Sequence, residues 1–154
     1  MKCLVTGGAG FIGSNLVNKL IKDGHDVVVV DDLSTGKKDN IHPKAEAWIV
    51  DISDVHGYWD EIFEGVDVVF HTAAKARVQP SIENPIEFNN VNVGGTLNML
   101  KCCVNYGVSR FIYSSSSSVY GNVEQLPTPE EHKLNPMSPY ALQKLIGEQY
   151  CKLY

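Results

Sequence analysis

The 154-residue sequence predicts an α/β fold: a doubly wound parallel sheet of five strands in the order 3-2-1-4-5, with helices on both faces. Three observations predict it. Short runs rich in Val and Ile alternate with segments of helical rhythm. Those runs are apolar almost throughout, as strands buried on both faces are. The first run passes directly into a glycine-rich turn that opens a helix.

The first strand is expected at 2–6 (KCLVT). A helix from Gly10 to Lys22 follows and stops before Gly24, a left-handed cap. The second strand is 27–31 (VVVVD) and the third 46–50 (EAWIV). A shorter helix covers about 54–63, ahead of Gly65, and the fourth strand is 67–71 (DVVFH). A long helix opens near Asn84, with Pro85 at its first position, and ends before Gly107. Its apolar residues Phe88, Val91, Leu97, Leu100 and Val104 recur at roughly helical spacing. The fifth strand is 110–114 (RFIYS). Segment 121–136 is polar, holds three prolines and reads as a surface loop. The last helix starts at Ser138-Pro139, and Leu142, Leu145, Ile146 and Tyr150 carry its rhythm to Tyr154 with no Gly or Pro stop. A chain ending in an uncapped helix is expected to be the N-terminal portion of something longer.

Composition excludes several classes. Hydrophobic residues make up 44%, enough for a core, and net charge is −5. With no basic stripe, the chain is not expected to bind nucleic acid. No apolar run approaches the roughly 20 residues that span a bilayer, and the N-terminus does not read as a secretory signal. Cys3, Cys102, Cys103 and Cys151 are scattered without a CxxC, so neither a metal site nor a disulfide framework is expected. They read as reduced thiols of a cytoplasmic protein.

The turn after the first strand is Gly7-Gly8-Ala9-Gly10-Phe11-Ile12-Gly13, with Gly7, Gly10 and Gly13 spaced G-x-x-G-x-x-G. Glycines there let the backbone reverse, let a pyrophosphate approach the main chain and let the helix pack closely on the strand. The helix N-terminus offers free N–H groups and the positive end of its dipole to the phosphates. The second strand ends in Asp31, at the interval where a carboxylate accepts hydrogen bonds from the adenine ribose of a dinucleotide. A carboxylate would repel a 2′-phosphate, so NAD is favoured over NADP. Asp32 shares the role, and the following Leu33-Ser34-Thr35-Gly36 forms the wall of the same pocket. The fold is therefore Rossmann-like.

Tyr140 and Lys144 form Y-x-x-x-K, which puts both on one face of a helix. A free tyrosine, with a pKa of about 10, is a poor base at neutral pH, and a neighbouring ammonium favours the phenolate. The fifth strand delivers a run of five serines, Ser114 to Ser118, at its C-terminal end, where ligands bind in open α/β sheets. A serine there can donate to a substrate oxygen and accept from the tyrosine.

Taken together, TGGAGFIGS, DDLS, Asp51-Ile52, HTAA (71–74), NVGGT (92–96), SSSSSVYG and SPYALQK resemble the extended short-chain dehydrogenase/reductases, in the nucleotide-sugar epimerase/dehydratase branch. The resemblance covers the whole chain. It implies pyrophosphate contacts from the Phe11 and Ile12 amides, Asp51 and Ile52 flanking the adenine, and Ala73 and Ala74 lining the cofactor groove. Asn92 would support the site from the long helix, and Ser114 would stand beside the cofactor. Tyr140 would be the catalytic acid/base, with Lys144 holding the nicotinamide ribose and tuning the tyrosine. Ser116 would be the catalytic serine and Ser118 the next candidate at the substrate. The serine stretch lacks the acidic pair of dehydratases. AAKARVQPSIENP and the ALQKLIGEQYCKLY tail look most like UDP-glucose or UDP-N-acetylglucosamine 4-epimerases, though Lys75 sits one position before those enzymes' lysine and Ala76 fills its slot.

The resemblance thus implies epimerisation of a UDP-hexose at C4 through a 4-keto intermediate. It also implies a homodimer through the long helix and the YxxxK helix, and a substrate domain lying outside residues 1–154. A fragment so truncated is expected to be inactive alone. The alternatives are a nucleotide-sugar decarboxylase or reductase of the same branch, and a non-catalytic NAD-binding module.

Overall fold

The computed structural model describes residues 1–54 and 59–154. Five parallel strands form one sheet: β1 (Lys2–Thr6), β2 (Asp26–Asp31), β3 (Glu46–Ile49), β4 (Val68–His71) and β5 (Arg110–Tyr113). Their order is β3-β2-β1-β4-β5, as expected. The register pairs Val5 with both Val29 and Phe70, so β1 is the central strand. β3 and β5 each end a residue earlier than the sequence reading, and β4 begins a residue later.

Alternation along each strand feeds two cores. Leu4, Val28, Val30 and Val69 pack with Ile62, Phe63 and Met99 on one face. Cys3, Val5, Val27 and Val29 pack with Val17 and Leu20 on the other. Both faces of the central strands are covered, which is why they read as unbroken Val/Ile runs. The edge strands β3 and β5 are mostly exposed or half-buried.

Helix α1 (Phe11–Lys22) covers the second core, and Gly24 follows it at φ +84°. Helix α2 (Trp59–Phe63) holds the end of the expected 54–63 helix, and the rest of that expectation lies largely outside the described residues. The expected long helix is a continuous run of three pieces: α4 (Pro85–Asn89), a π-helical turn (Asn90–Gly95) and α5 (Thr96–Asn105). A short helix, α3 (Val78–Glu83), precedes it and was not expected from sequence. Helix α6 (Pro139–Leu153) closes the described fold against α3, α4, the π turn and β5. Its N-cap, Ser138, accepts a hydrogen bond from the Ala141 N–H at 3.1 Å. Leu100, part of the apolar rhythm of the expected long helix, is buried inside the chain.

Candidate functional site

The strand order reverses between β1 and β4, so the connections that leave their C-terminal ends diverge there and leave a groove. Gly7 and Gly10 form its floor. Asp31, Asp32, Ser34 and Thr35 wall it after β2, Asp51 and Ile52 after β3, and Ala73 and Ala74 after β4.

The glycine turn is close-packed. A Cβ on Gly13 would sit 2.1 Å from the Gly7 carbonyl oxygen, so the first turn of α1 can lie on the strand only without a side chain there. Gly7 itself has φ +71°, and the Gly7 N–H donates to the Val30 carbonyl at 2.7 Å. Phe11 and Ile12 open α1 with their side chains out in solvent. The first N–H groups of a helix have no intrahelical acceptor and are free for an anion.

Asp31 is buried, and its carboxylate braces the turn as well as facing the groove. One oxygen accepts from the Ala9 N–H at 2.9 Å, the other from the Leu33 N–H at 2.8 Å. Two carboxylate oxygens offer about four lone-pair sites, so capacity remains for a ligand hydroxyl. Leu33 takes φ +57°, Gly36 packs against the Asp31 carboxylate and Ala9, and neither lines the groove. Asp32 and Asp51 each fold a serine back onto themselves: Ser34 Oγ donates to Asp32 at 2.6 Å, and Ser53 Oγ to Asp51 at 2.8 Å.

Asn92 stands behind the groove, in the π turn. Its side-chain oxygen accepts from the Lys75 N–H at 2.8 Å, and its amide donates to the Lys75 carbonyl at 3.0 Å and to Gln143 at 2.9 Å. It therefore ties the segment after β4 to α6. Lys75 lines the groove, and its ammonium lies 2.8 Å from Glu87.

A second set of residues lies across the switch point. Helix α6 packs on β5 and on the 3-10 turn Ser117–Tyr120. Ser116 caps that turn, accepting from the Ser118 N–H at 3.2 Å. Lys144 is buried, and its ammonium donates to the Ser114 carbonyl at 2.8 Å. Burial lowers its pKa to about 8. Tyr140 is half-buried, and its backbone N–H donates to Ser81 Oγ at 3.1 Å. Among the described residues no cluster of His, Cys, Asp or Glu fits a metal ion, and no helix is long and apolar enough to cross a membrane.

Sequence reasoning did not single out Val30, Val50, Thr72, Lys75 and Val91 as groove residues, which they are. The only signal for Val30 and Val50 was their position just before Asp31 and Asp51. It also missed Ser81, fully buried on α3, and His71, fully buried on β4. His71 Nδ1 lies 2.8 Å from Thr6 Oγ1, and Nε2 lies 3.0 Å from Thr96 Oγ1.

Comparison with known proteins agrees with this geometry. Residues 3–154 match the NAD dependent epimerase/dehydratase family. A putative UDP-glucose 4-epimerase of Methanocaldococcus jannaschii is 47% identical over 152 residues, covering 98% of this chain and 50% of the relative. The structure of a Thermus thermophilus UDP-glucose 4-epimerase in complex with NAD superposes with a TM-score of 0.95 at 39% identity, over 100% of this chain and 50% of that one. A Thermotoga maritima UDP-glucose 4-epimerase with UDP-glucose gives a TM-score of 0.92 at 40% identity, over 99% of this chain and 50% of that one. The chain thus spans about half the length of the curated relatives it matches.

Proposed function

The chain belongs to the NAD dependent epimerase/dehydratase family, and from that premise we propose that residues 1–154 are the NAD-binding domain of an enzyme that epimerises a UDP-hexose at C4. The observation that carries the reading is the pairing of two features at one end of one sheet. A close-packed glycine turn braced by buried Asp31 lies on one side of the switch point, and buried Lys144 beside the serine run lies on the other.

The groove fits the cofactor. Free N–H groups at the start of α1 suit a pyrophosphate, and bare Gly7 and Gly13 let the turn pack closely enough to bring them to the groove. Asp31, with Asp32, Ser34 and Thr35 as wall, would hold the adenine ribose and disfavour a 2′-phosphate. Asp51 and Ile52 would flank the adenine, and Ala73 and Ala74 the middle of the groove. Lys144 would hold the nicotinamide ribose, next to Ser114. NAD, when bound, supplies the hydride acceptor and donor through which a sugar passes by way of a 4-keto form. Tyr140 takes and returns the proton of the 4-hydroxyl, Ser116 bridges it to the sugar oxygen, and Ser118 contacts the substrate.

Most of the sugar-nucleotide pocket would belong to the half of the relatives' length that this chain does not span, so residues 1–154 alone would not turn over substrate. We place the protein in the cytoplasm, consistent with its four free thiols. We place it in a homodimer through α5 and α6, where Val104 and Leu142 are exposed.

Tyr140→Phe tests the assignment in a polypeptide of the relatives' full length. Turnover should fall by roughly 10²–10⁴-fold, the usual worth of a general acid/base, while NAD⁺ affinity is retained. Turnover at the wild-type rate in that variant would overturn it.

A further inference from the structure

Lys144 is 3% exposed, yet among the described residues no carboxylate lies within ion-pair distance of its ammonium. What holds it is the Ser114 carbonyl, at 2.8 Å, and the face of Tyr113, whose ring centre lies 4.9 Å from Nζ. Tyr113 ends β5, and its ring passes beneath α6. It can do so because Gly147, one turn beyond Lys144, has no side chain. A Cβ there would stand 2.3 Å from the Tyr113 hydroxyl oxygen and 2.5 Å from Cζ. The Tyr113 hydroxyl donates a long hydrogen bond to the Lys144 carbonyl, at 3.5 Å, and the same ring stacks on His71 at 5.8 Å and 19°.

We propose that Tyr113, admitted under α6 by Gly147, is a positioning residue: its ring is the seat that aims the Lys144 ammonium. The inference rests on Lys144 being the cation of the proposed site. A ring face attracts a cation without neutralising it. A carboxylate in that place would hold the lysine more tightly but cancel the charge the site needs. The rings involved stay neutral. Burial pushes the Tyr113 phenol up, and burial, then the Lys144 charge, pushes His71 down to about 3. Cys151, Tyr140 and Glu148 also face Tyr113, and Glu148 is engaged by the Ser115 hydroxyl.

The test uses this chain and two readouts: the pH profile of Lys144 acylation by acetic anhydride, followed by mass spectrometry, and NAD⁺ titration. Tyr113→Phe keeps the ring and should leave both unchanged. Tyr113→Leu and Gly147→Ala should each move the acylation profile to lower pH, because the charged form loses its support. Each should also weaken NAD⁺ binding by roughly three- to thirtyfold, the range of one cation–π contact. The double variant should lose no more than either single one, since both remove the same seat. Folded Tyr113→Leu or Gly147→Ala with a wild-type acylation profile would overturn the proposal, as would a Phe variant that behaves like Leu. If Tyr113→Leu does not fold, Gly147→Ala decides alone. Wild-type chain that binds no NAD⁺ would defeat the functional reading, while the acylation profile would still judge the seat.

Discussion

At His71 the hydrogen bonds allow one arrangement. Thr96 Oγ1 gives its single proton to the Asn92 carbonyl at 2.6 Å, so it accepts from His71 Nε2–H. Thr6 Oγ1 accepts from the Ala73 N–H at 3.1 Å and gives its proton to His71 Nδ1. The ring is neutral with its proton on Nε2, and a second proton on Nδ1 would meet a donor. This arrangement and full burial agree with a pKa lowered to about 3, for which burial is the first cause and Lys144 the second. The consequence for stability has a definite sign. As pH falls from about 6.5 to about 3, the unfolded chain takes up a proton that the folded chain refuses, so stability is lost across that window. Relative to His71→Gln, which does not titrate, the wild type should lose about 3 kcal/mol between about pH 7 and about pH 4.5, at ~1.4 kcal/mol per pH unit. Urea melts at the two pH values measure it, and parallel behaviour of the two proteins would contradict it. None of this was visible in the sequence, where His71 was the last residue of an apolar strand and the first of the HTAA motif, with nothing to show its hydrogen-bond partners.

Helix α6 shows what a helix end needs. Its N2 and N3 donors go to two serines, one local and one distant: Ala141 N–H to Ser138, Tyr140 N–H to Ser81 on α3. Ser81 Oγ in turn donates to the Val78 carbonyl at 2.6 Å, so its orientation is fixed. Ser81→Ala should cost roughly 1–3 kcal/mol, the penalty of an unmade bond to a partly buried N–H, read as a lower urea midpoint with unchanged slope. A loss within error would mean that water replaces the serine. The local cap was legible because Ser-Pro before an apolar helical run has a known meaning. The distant cap was not, because α3 is a six-residue helix containing Pro80, too short to show a period. The π turn escaped for a related reason. Apolar residues run on at near-helical spacing through Asn90–Gly95, and a widened turn changes hydrogen bonding without changing composition. That turn carries Asn92, whose amide joins the segment after β4 to α6.

For the molecule as a whole, the fold and half of the site could be read in advance. Strands buried on both faces leave Val/Ile runs, glycines mark where helices stop, and a glycine turn between strand and helix has few alternative uses. The double duty of Asp31, brace of the turn and wall of the groove, could not be read, because Ala9 and Leu33 engage it through backbone amides that any residue but proline supplies. Nor could the seat of Lys144, which depends on Tyr113 and Gly147 coming from different elements. On the reading proposed above, the glycine turn, Asp31 and the groove make an NAD site in this chain. Thermal unfolding of residues 1–154 under titration with NAD⁺ and, separately, NADP⁺ tests it most directly. A ligand bound only by the folded chain stabilises it by RT ln(1 + [L]/Kd). The transition should climb with NAD⁺, climb far less with NADP⁺, and no longer respond in Asp31→Ala; a folded chain whose transition ignores NAD⁺ at millimolar concentration would overturn the NAD site.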